Sequence, residues 1–210
     1  MTAVVMPGGR ALVGTGVRLD PTVPADAPAI FAALDFDAVW AAGYSGGPSG
    51  RPVDPVGWEQ RIEAAVVERR AMFTVRAGDD VIGTTSLGDT SLEHQRTHLG
   101  WTAYTPAVWG SAVNPECKLL LLAHAFEECG FGRVKIQTDS INLRSQAAIA
   151  KLGATREGVL RRHMVRPDGT TRDTVVFGIT VDDWPAVKAG LIARLANLSG
   201  RAGGEIVLGQ

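Results

Sequence analysis

Residues 109–131, WGSAVNPECKLLLLAHAFEECGF, constrain the fold more than any other stretch of the chain. Leu119, Leu122, Ala123 and Phe126 form one helical stripe, and Leu120, Leu121 and Ala125 make the rest apolar too, so this helix must be buried, as against a sheet. Its start is sharply written. Asn114 is expected to cap it, Pro115 fits the first helical position because its missing N–H would be unpaired there anyway, and Glu116 complements the positive end of the dipole. The helix front aims unpaired N–H groups and roughly half a positive charge at whatever lies beyond it. Gly110, Ser111, Ala112 and Val113, just before it, let an anion approach the backbone, so a phosphate or diphosphate fits there. A solvated turn that merely starts a core helix fits this stretch equally well, and the rest of the chain must decide.

The chain has 210 residues and suits one domain with a sizeable core. Its 21 Lys and Arg against 22 Asp and Glu leave a formal net charge of -1, so no overall field draws it to nucleic acid or an anionic membrane. The start, MTAVVMPGGR, lacks the pattern of a secretory signal and no apolar run reaches a membrane span, which makes the cytoplasm the expected location. Cys117 and Cys129 share one expected helix, and at ~1.5 Å per residue they stand roughly 18 Å apart, too far to bridge; they are expected to be packing residues.

The remaining elements alternate. Residues 11–23 read as a strand and 25–34 as a helix that Asp26 and Pro28 start. Residues 41–54 form a long Gly-, Pro- and Ser-rich loop, a length that is more often functional than idle. Asp54 and Pro55 cap an amphipathic helix carrying Trp58, Ile62, Ala65 and Val66. Residues 71–89 read as a hairpin turning at 77–80, and 97–106 as a further strand. After the buried helix come a strand (133–139), a helix (144–154) closed by Gly153, a strand (159–165), a turn at Arg166-Pro167-Asp168-Gly169, a strand (174–181) and a last helix (182–198). Two helix–strand units among hairpins predict an α+β fold with a mixed sheet. Residues 1–198 are taken as one domain and 199–210 as an unassigned tail.

The order of strand, Trp-Gly-Ser-Ala loop, buried helix, strand, Asn-x-x-Ser helix, Leu-Gly-Ala and Glu-Gly resembles the GNAT acyltransferase superfamily, and within it the RimJ/RimL type of N-acetyltransferase. The resembling stretches are LGWTAYTPAVWGSAVNPE (99–116), HAFEECGFGRVKIQTDSINLRSQAAIAKLGATREGVLRR (124–162), DGTTRDTVVFGIT (168–180) and DDWP (182–185). The resemblance implies a mostly antiparallel twisted sheet, splayed in the middle and flanked by helices, with acetyl-CoA as co-substrate. It places the pantetheine arm in the splay, bonded by backbone groups of Trp101, Thr102 and Ala103, and the diphosphate on the N–H groups of Trp109, Gly110, Ser111, Ala112, Val113 and Asn114. The loop departs from the superfamily at Ala107, where Gln or Arg is usual.

The superfamily's usual acid is a Tyr seven residues beyond the motif Asn; here that place holds Ile149. RimL-type proteins use the motif Ser instead, which makes Ser145 the acid candidate, with local backbone bonding as its other reading. Asn142 contacts the cofactor or caps the helix. Where the branch has Glu before Ile-Gly-Tyr, this chain has His98, a base candidate if its imidazole titrates near ~6.5, or else a strand His bonded to a neighbour. Asp89, Glu93 and His163 are reserves, because the strand position of RimL's Glu holds Met164. Arg156, Arg161, Arg162 and Arg166 could meet the 3′-phosphate or an acidic acceptor, or form a solvated strand face. Trp40 and Tyr44 flank the long loop and are acceptor-site candidates, with core packing the alternative for Trp40.

His94 and His98, expected on one strand face, lack a third ligand, so no metal is expected. Absence of Gly-Lys-Ser/Thr after a Gly-rich loop argues against a nucleotide-phosphate hydrolase. The expected partners are acetyl-CoA and a primary amine, either a protein N-terminus or a small molecule, with no nucleic acid and no membrane and with a homodimer left open. The alternative function is a non-catalytic acyl-CoA-binding module.

Overall fold

The computed structural model describes residues 3–41 and 43–202, with side chains as far as residue 198. In chain order the elements are β1 (Leu12–Val13), β2 (Arg18–Pro21), α1 (Ala27–Leu34), α2 (Asp37–Ala41), α3 (Val56–Val67), β3 (Ala71–Ala77), β4 (Asp80–Ser91), β5 (Arg96–Tyr104), α4 (Val113–Ala123), β6 (Arg133–Asp139), α5 (Leu143–Ala150), β7 (Thr155–Val165), β8 (Thr171–Thr180) and α6 (Trp184–Ala202). The strands make one sheet in the order β1-β2-β3-β4-β5-β6-β8-β7. Every pairing is antiparallel except β5 with β6. This is the α+β architecture with a mixed sheet that the alternation of elements predicts. No helix among the described residues is long and apolar enough to cross a membrane.

Two cores cover the two sheet faces. On one, Cys117, Leu121 and Leu122 of α4, Ile149 of α5, and Val187 and Leu191 of α6 pack on Leu87, Leu99, Val134 and Ile136. On the other, Ile30 and Leu34 of α1, Trp40 of α2, and Trp58 and Ile62 of α3 pack with Met72 and Ala103. Full burial of such side chains stabilises by about 1.5–3 kcal/mol each before conformational entropy is counted. Cys117 and Cys129 are both buried free thiols, in keeping with packing roles.

Several expectations need correction. The single strand expected over 11–23 is a hairpin, with Gly14 N–H donating to Val17 O at its turn (2.8 Å). Asn114 does not cap α4: the helix starts two residues earlier than expected, at Val113 with Ala112 before it, and has no side-chain cap. The expected helix 114–129 is α4 followed by one wide π-helical turn, His124–Glu128, whose His124 Nε2 accepts from Gly8 N–H (3.0 Å). That acceptor role fixes the proton on Nδ1, which donates to Glu128 (2.7 Å). Four residues of the supposed tail continue α6 to Ala202, and 203–210 lie outside the described residues.

Glu116 does more than complement the helix dipole. Its carboxylate accepts the N–H groups of Thr15 and Gly16 and so ties the β1–β2 turn to the front of α4. A Cβ on Gly14 would meet that carboxylate and push it off the two N–H groups it accepts. Hydrogen bonds to a charged acceptor are worth about 1.5–3 kcal/mol, so Glu116→Ala is expected to lower unfolding free energy in urea by about that amount. An unchanged denaturation midpoint would show that the tie contributes nothing.

Candidate functional site

The site begins where β5 and β6 part. They pair for three residues only, Arg96↔Arg133, Thr97↔Val134 and His98↔Lys135. β6 stays on β8 through all seven of its residues, whereas β5 runs on to Tyr104 with only β4 beside it. From Leu99 onward, therefore, one edge of β5 is open among the described residues. Within that stretch the β4 ladder passes from Thr84↔Ala103 to Ser86↔Gly100, so Trp101 and Thr102 together face Thr85. This is a β-bulge, and it puts Trp101 in the left-handed region at φ 50°. The bulged Trp101 ring is held between the Arg70 guanidinium (4.7 Å) and the His98 ring (4.7 Å).

Beyond Tyr104 a short 3-10 turn (Pro106–Val108) leads to the front of α4. Trp109 Nε1 donates to Tyr104 O (2.9 Å). Gly110, at φ 79°, has open space where a Cβ would be, so backbone conformation and not crowding asks for glycine. Of the six N–H groups assigned to a diphosphate, two close local turns: Trp109 donates to Pro106 O and Ser111 to Val108 O. A third, from Val113, goes to Ser111 Oγ (3.2 Å). Gly110, Ala112 and Asn114 N–H find no acceptor among the described residues, which leaves three donors at the positive end of a buried helix. Across the gap, the Arg144 guanidinium of α5 lies 3.7 Å over the Trp109 ring and links the two lips of the splay.

Asn142 caps α5, its Oδ1 accepting Ser145 N–H (2.9 Å). Ser145 is half-buried, and its hydroxyl has no hydrogen-bond partner among the described residues, contrary to the local-bonding reading. His98 is 5% exposed with Nε2 unpartnered. Burial first, then the charge of Lys135, pushes its pKa down to about 3. The ring is therefore neutral through the physiological range, and it can accept a hydrogen bond but is poorly matched to holding a proton taken from an ammonium group. The titration near 6.5 expected of a base is overturned by desolvation.

Other assignments separate. Trp40 is 1% exposed and donates to Leu34 O (2.9 Å), so it is a core residue and not a wall of an open pocket. Tyr44 is half-buried between Trp40 (centroids 5.3 Å apart) and Trp58 (6.5 Å), and burial raises its hydroxyl pKa against the pull of Arg61 and Arg70. The expected long loop holds two short 3-10 turns, Tyr44–Gly46 and Pro48–Gly50. Arg61 ties it down through Ser45 Oγ (2.9 Å) and Gly50 O (2.5 Å), and a Cβ on Gly46 would meet Pro167 of the β7–β8 turn at 2.5 Å. His94 lies in the turn before β5, off the strand face it was expected to share with His98. Asp89 is taken up by Lys135 (2.6 Å) and Arg96 (3.4 Å), and His163 by Thr174 Oγ1 (3.1 Å). Arg166 pairs with Asp139 (2.7 Å), so it is not available to a phosphate.

One residue at the site escaped the sequence reading. Lys118 sits in α4 at 6% exposure and donates to Thr102 Oγ1 (2.8 Å). Its signal was a lysine interrupting an otherwise apolar helix.

The comparisons with known proteins agree with this geometry. Residues 17–155, well over half of the chain, match the family model described as Acetyltransferase (GNAT) domain. The uncharacterized N-acetyltransferase YoaA of Bacillus subtilis strain 168 is 27% identical over 158 residues, covering 73% of this chain and 87% of its own. A T. thermophilus protein assigned as an acetyltransferase is 37% identical, with a TM-score of 0.77 over 89% of this chain and 97% of its own. A GCN5-related N-acetyltransferase from Brucella melitensis, 23% identical, shares the fold at a TM-score of 0.85, covering 100% of this chain and 94% of its own.

The depressed His98 pKa has a consequence for stability. Between its unfolded value of about 6.5 and its folded value near 3, the unfolded chain binds the extra proton, so stability present above pH 6.5 is lost as pH falls. From pH 7.5 to 5 this amounts to about 2 kcal/mol. Urea unfolding at the two pH values is expected to show that fall in the wild type and a smaller one in His98→Gln; equal falls would mean that the imidazole is not buried neutral.

Proposed function

The chain belongs to the GNAT acetyltransferase family, and on that premise we propose that it transfers an acetyl group from acetyl-CoA to a primary amine by direct attack, as one domain over residues 1–198. One observation carries the reading: β5 loses its β6 partner after His98, and the loop at the far end of its open edge leaves three N–H donors at the front of α4. An extended arm can complete the sheet along Trp101, Thr102 and Ala103 by strand addition. A diphosphate then fits Gly110, Ala112 and Asn114, with Trp109, Ser111 and Val113 shaping the turn around it. When bound, acetyl-CoA supplies the activated thioester.

The chain's own residues do the rest. Ser145, its hydroxyl uncommitted among the described residues, gives a proton to the departing thiolate and regains one from water. His98 Nε2 accepts a hydrogen bond from the acceptor amine and orients it; the ammonium proton leaves to solvent before attack, and the second nitrogen proton, released once the C–N bond forms and the C–S bond breaks, also goes to water and balances the one Ser145 regains. Tyr44, beside the loop that reaches Asn142 and Pro167, borders the acceptor entrance. The RimJ/RimL-like motifs point to a protein N-terminus or a small-molecule amine as acceptor.

A second reading, an acyl-CoA-binding module without turnover, is favoured by the buried Ile149 where the family has its tyrosine acid and by the weak basicity of His98. Thiol release from acetyl-CoA across a panel of amines separates the two: release above the no-amine rate supports transfer, and binding without release supports the module.

Ala112→Asp sets a carboxylate against the diphosphate and is expected to abolish calorimetrically detectable acetyl-CoA binding; unchanged affinity would remove the anion site from the front of α4. Ser145→Ala is expected to keep the KM for acetyl-CoA and lower kcat by about 10²-fold or more, the range of general acid catalysis. An unchanged kcat, with chemistry limiting, would take Ser145 out of the mechanism.

A further inference from the structure

Lys118 has no place in that account, yet its surroundings are unusual. Cys117, Leu121 and Leu122 of the same helix are fully buried in the core, and Lys118 sits among them at 6% exposure. The hydrogen bond that holds its ammonium goes to a neutral hydroxyl, Thr102 Oγ1, at 2.8 Å. Among the described residues no carboxylate lies within ion-pair distance of it. Thr102 is itself engaged elsewhere, with Thr85 Oγ1 (2.8 Å) and Gly100 O (3.3 Å). An ammonium carries three N–H donors, so two remain without an acceptor among the described residues. Burying a charge on such terms is costly, and a hydrophobic residue of similar length would serve the core better. Burial also pulls the Lys118 pKa down to about 8, as expected of a cation with no anion beside it.

Position says which ligand the two free donors meet. Thr102 belongs to the open edge of β5, so the ammonium is anchored at the splay and not merely inside the helix packing. Lys118 is five residues past the first residue of α4, about 7.5 Å along the axis from the front where the diphosphate fits. Its ammonium is fixed on Thr102, four residues past His98 at the apex and short of the loop before α4. The stretch of coenzyme between those points is the pantetheine arm, whose acceptors are amide carbonyl oxygens. We propose that Lys118 is a pantetheine-binding residue, its Thr102-anchored ammonium donating to a carbonyl oxygen of the arm as it lies along β5. This rests on the acetyl-CoA reading and adds to it a side-chain contact that backbone strand addition does not supply. A charged donor to a carbonyl is the stronger kind of hydrogen bond, and it also fixes how far the arm slides along the strand.

Calorimetric titration with coenzyme A and with 3′-phospho-ADP, which has the nucleotide and diphosphate but no pantetheine, tests the contact. Lys118→Met keeps the length and removes the charge, so the free protein should melt no lower than the wild type. The expected result is a loss of about tenfold or more in coenzyme A affinity, with 3′-phospho-ADP affinity within about twofold of wild type. Thr102→Val removes the anchor and is expected to show the same selectivity with a smaller loss; it carries the test if Lys118→Met does not fold. Unchanged coenzyme A affinity, or an equal loss for both ligands, would overturn the proposal while leaving the acetyl-CoA reading intact. A wild type that binds neither ligand would overturn both.

Discussion

The structure turns on the parting of β5 from β6 after His98. Seven residues of β6 pair with β8, and only the first three of these also pair with β5. Beyond His98, β5 keeps β4 on one side and exposes its backbone on the other, while β6 stays paired with β8 on its far edge. The bulge at Trp101 reinforces this, because an extra residue bends the strand and increases its twist. Beneath the opening runs α4, apolar enough to be driven into the core yet started by residues that leave amides free at its front. Open edge and helix front together make a groove with hydrogen-bonding backbone along its side and positive potential at its end. That combination is why the GNAT family match and the geometry support the same chemistry.

Unsatisfied polar groups gather near the seam. Among the described residues His98 Nε2 on β5, Gln137 Oε1 on β6 and Arg172 Nε on β8 are buried without a hydrogen-bond partner, and Lys118 holds a desolvated charge on α4. Native folds carry few such groups, and here several fall on the strands around one opening. Their cost is offset by the two cores on either side, and it keeps the seam polar enough to receive a ligand rich in carbonyls and phosphates. Cations dominate this part of the protein: Lys135, Lys118 and Arg172 all act to hold His98 neutral.

Much of this was legible in the sequence. The hairpin turn at Gly78-Asp79, the strand at Arg133–Asp139 and the buried helix all follow from turn chemistry and periodicity, which are local signals. The misreadings share a different cause. Gly14 and Gly16 looked compatible with one strand because the reason for a turn there, the carboxylate of Glu116, is a hundred residues away. Asn114 looked like a cap because side-chain type was legible and the backbone angles of Ala112 were not. Trp40 looked like a pocket wall, but its environment is set by α1 and α3. His98 was placed correctly on β5, whereas its protonation is set by burial and by Lys135 across the parallel pair. Lys118 was passed over because a helical pattern shows which residues are buried without showing that a buried cation has no counter-ion.

We propose that one groove, formed by the open edge of β5 and the front of α4, holds acetyl-CoA. A crystal structure grown with the coenzyme tests it most directly. The account requires the diphosphate within hydrogen-bond distance of the Gly110, Ala112 and Asn114 amides and the pantetheine arm laid along Trp101–Ala103. Density for the coenzyme elsewhere on the molecule, or a front of α4 covered by side chains when it is bound, would contradict it.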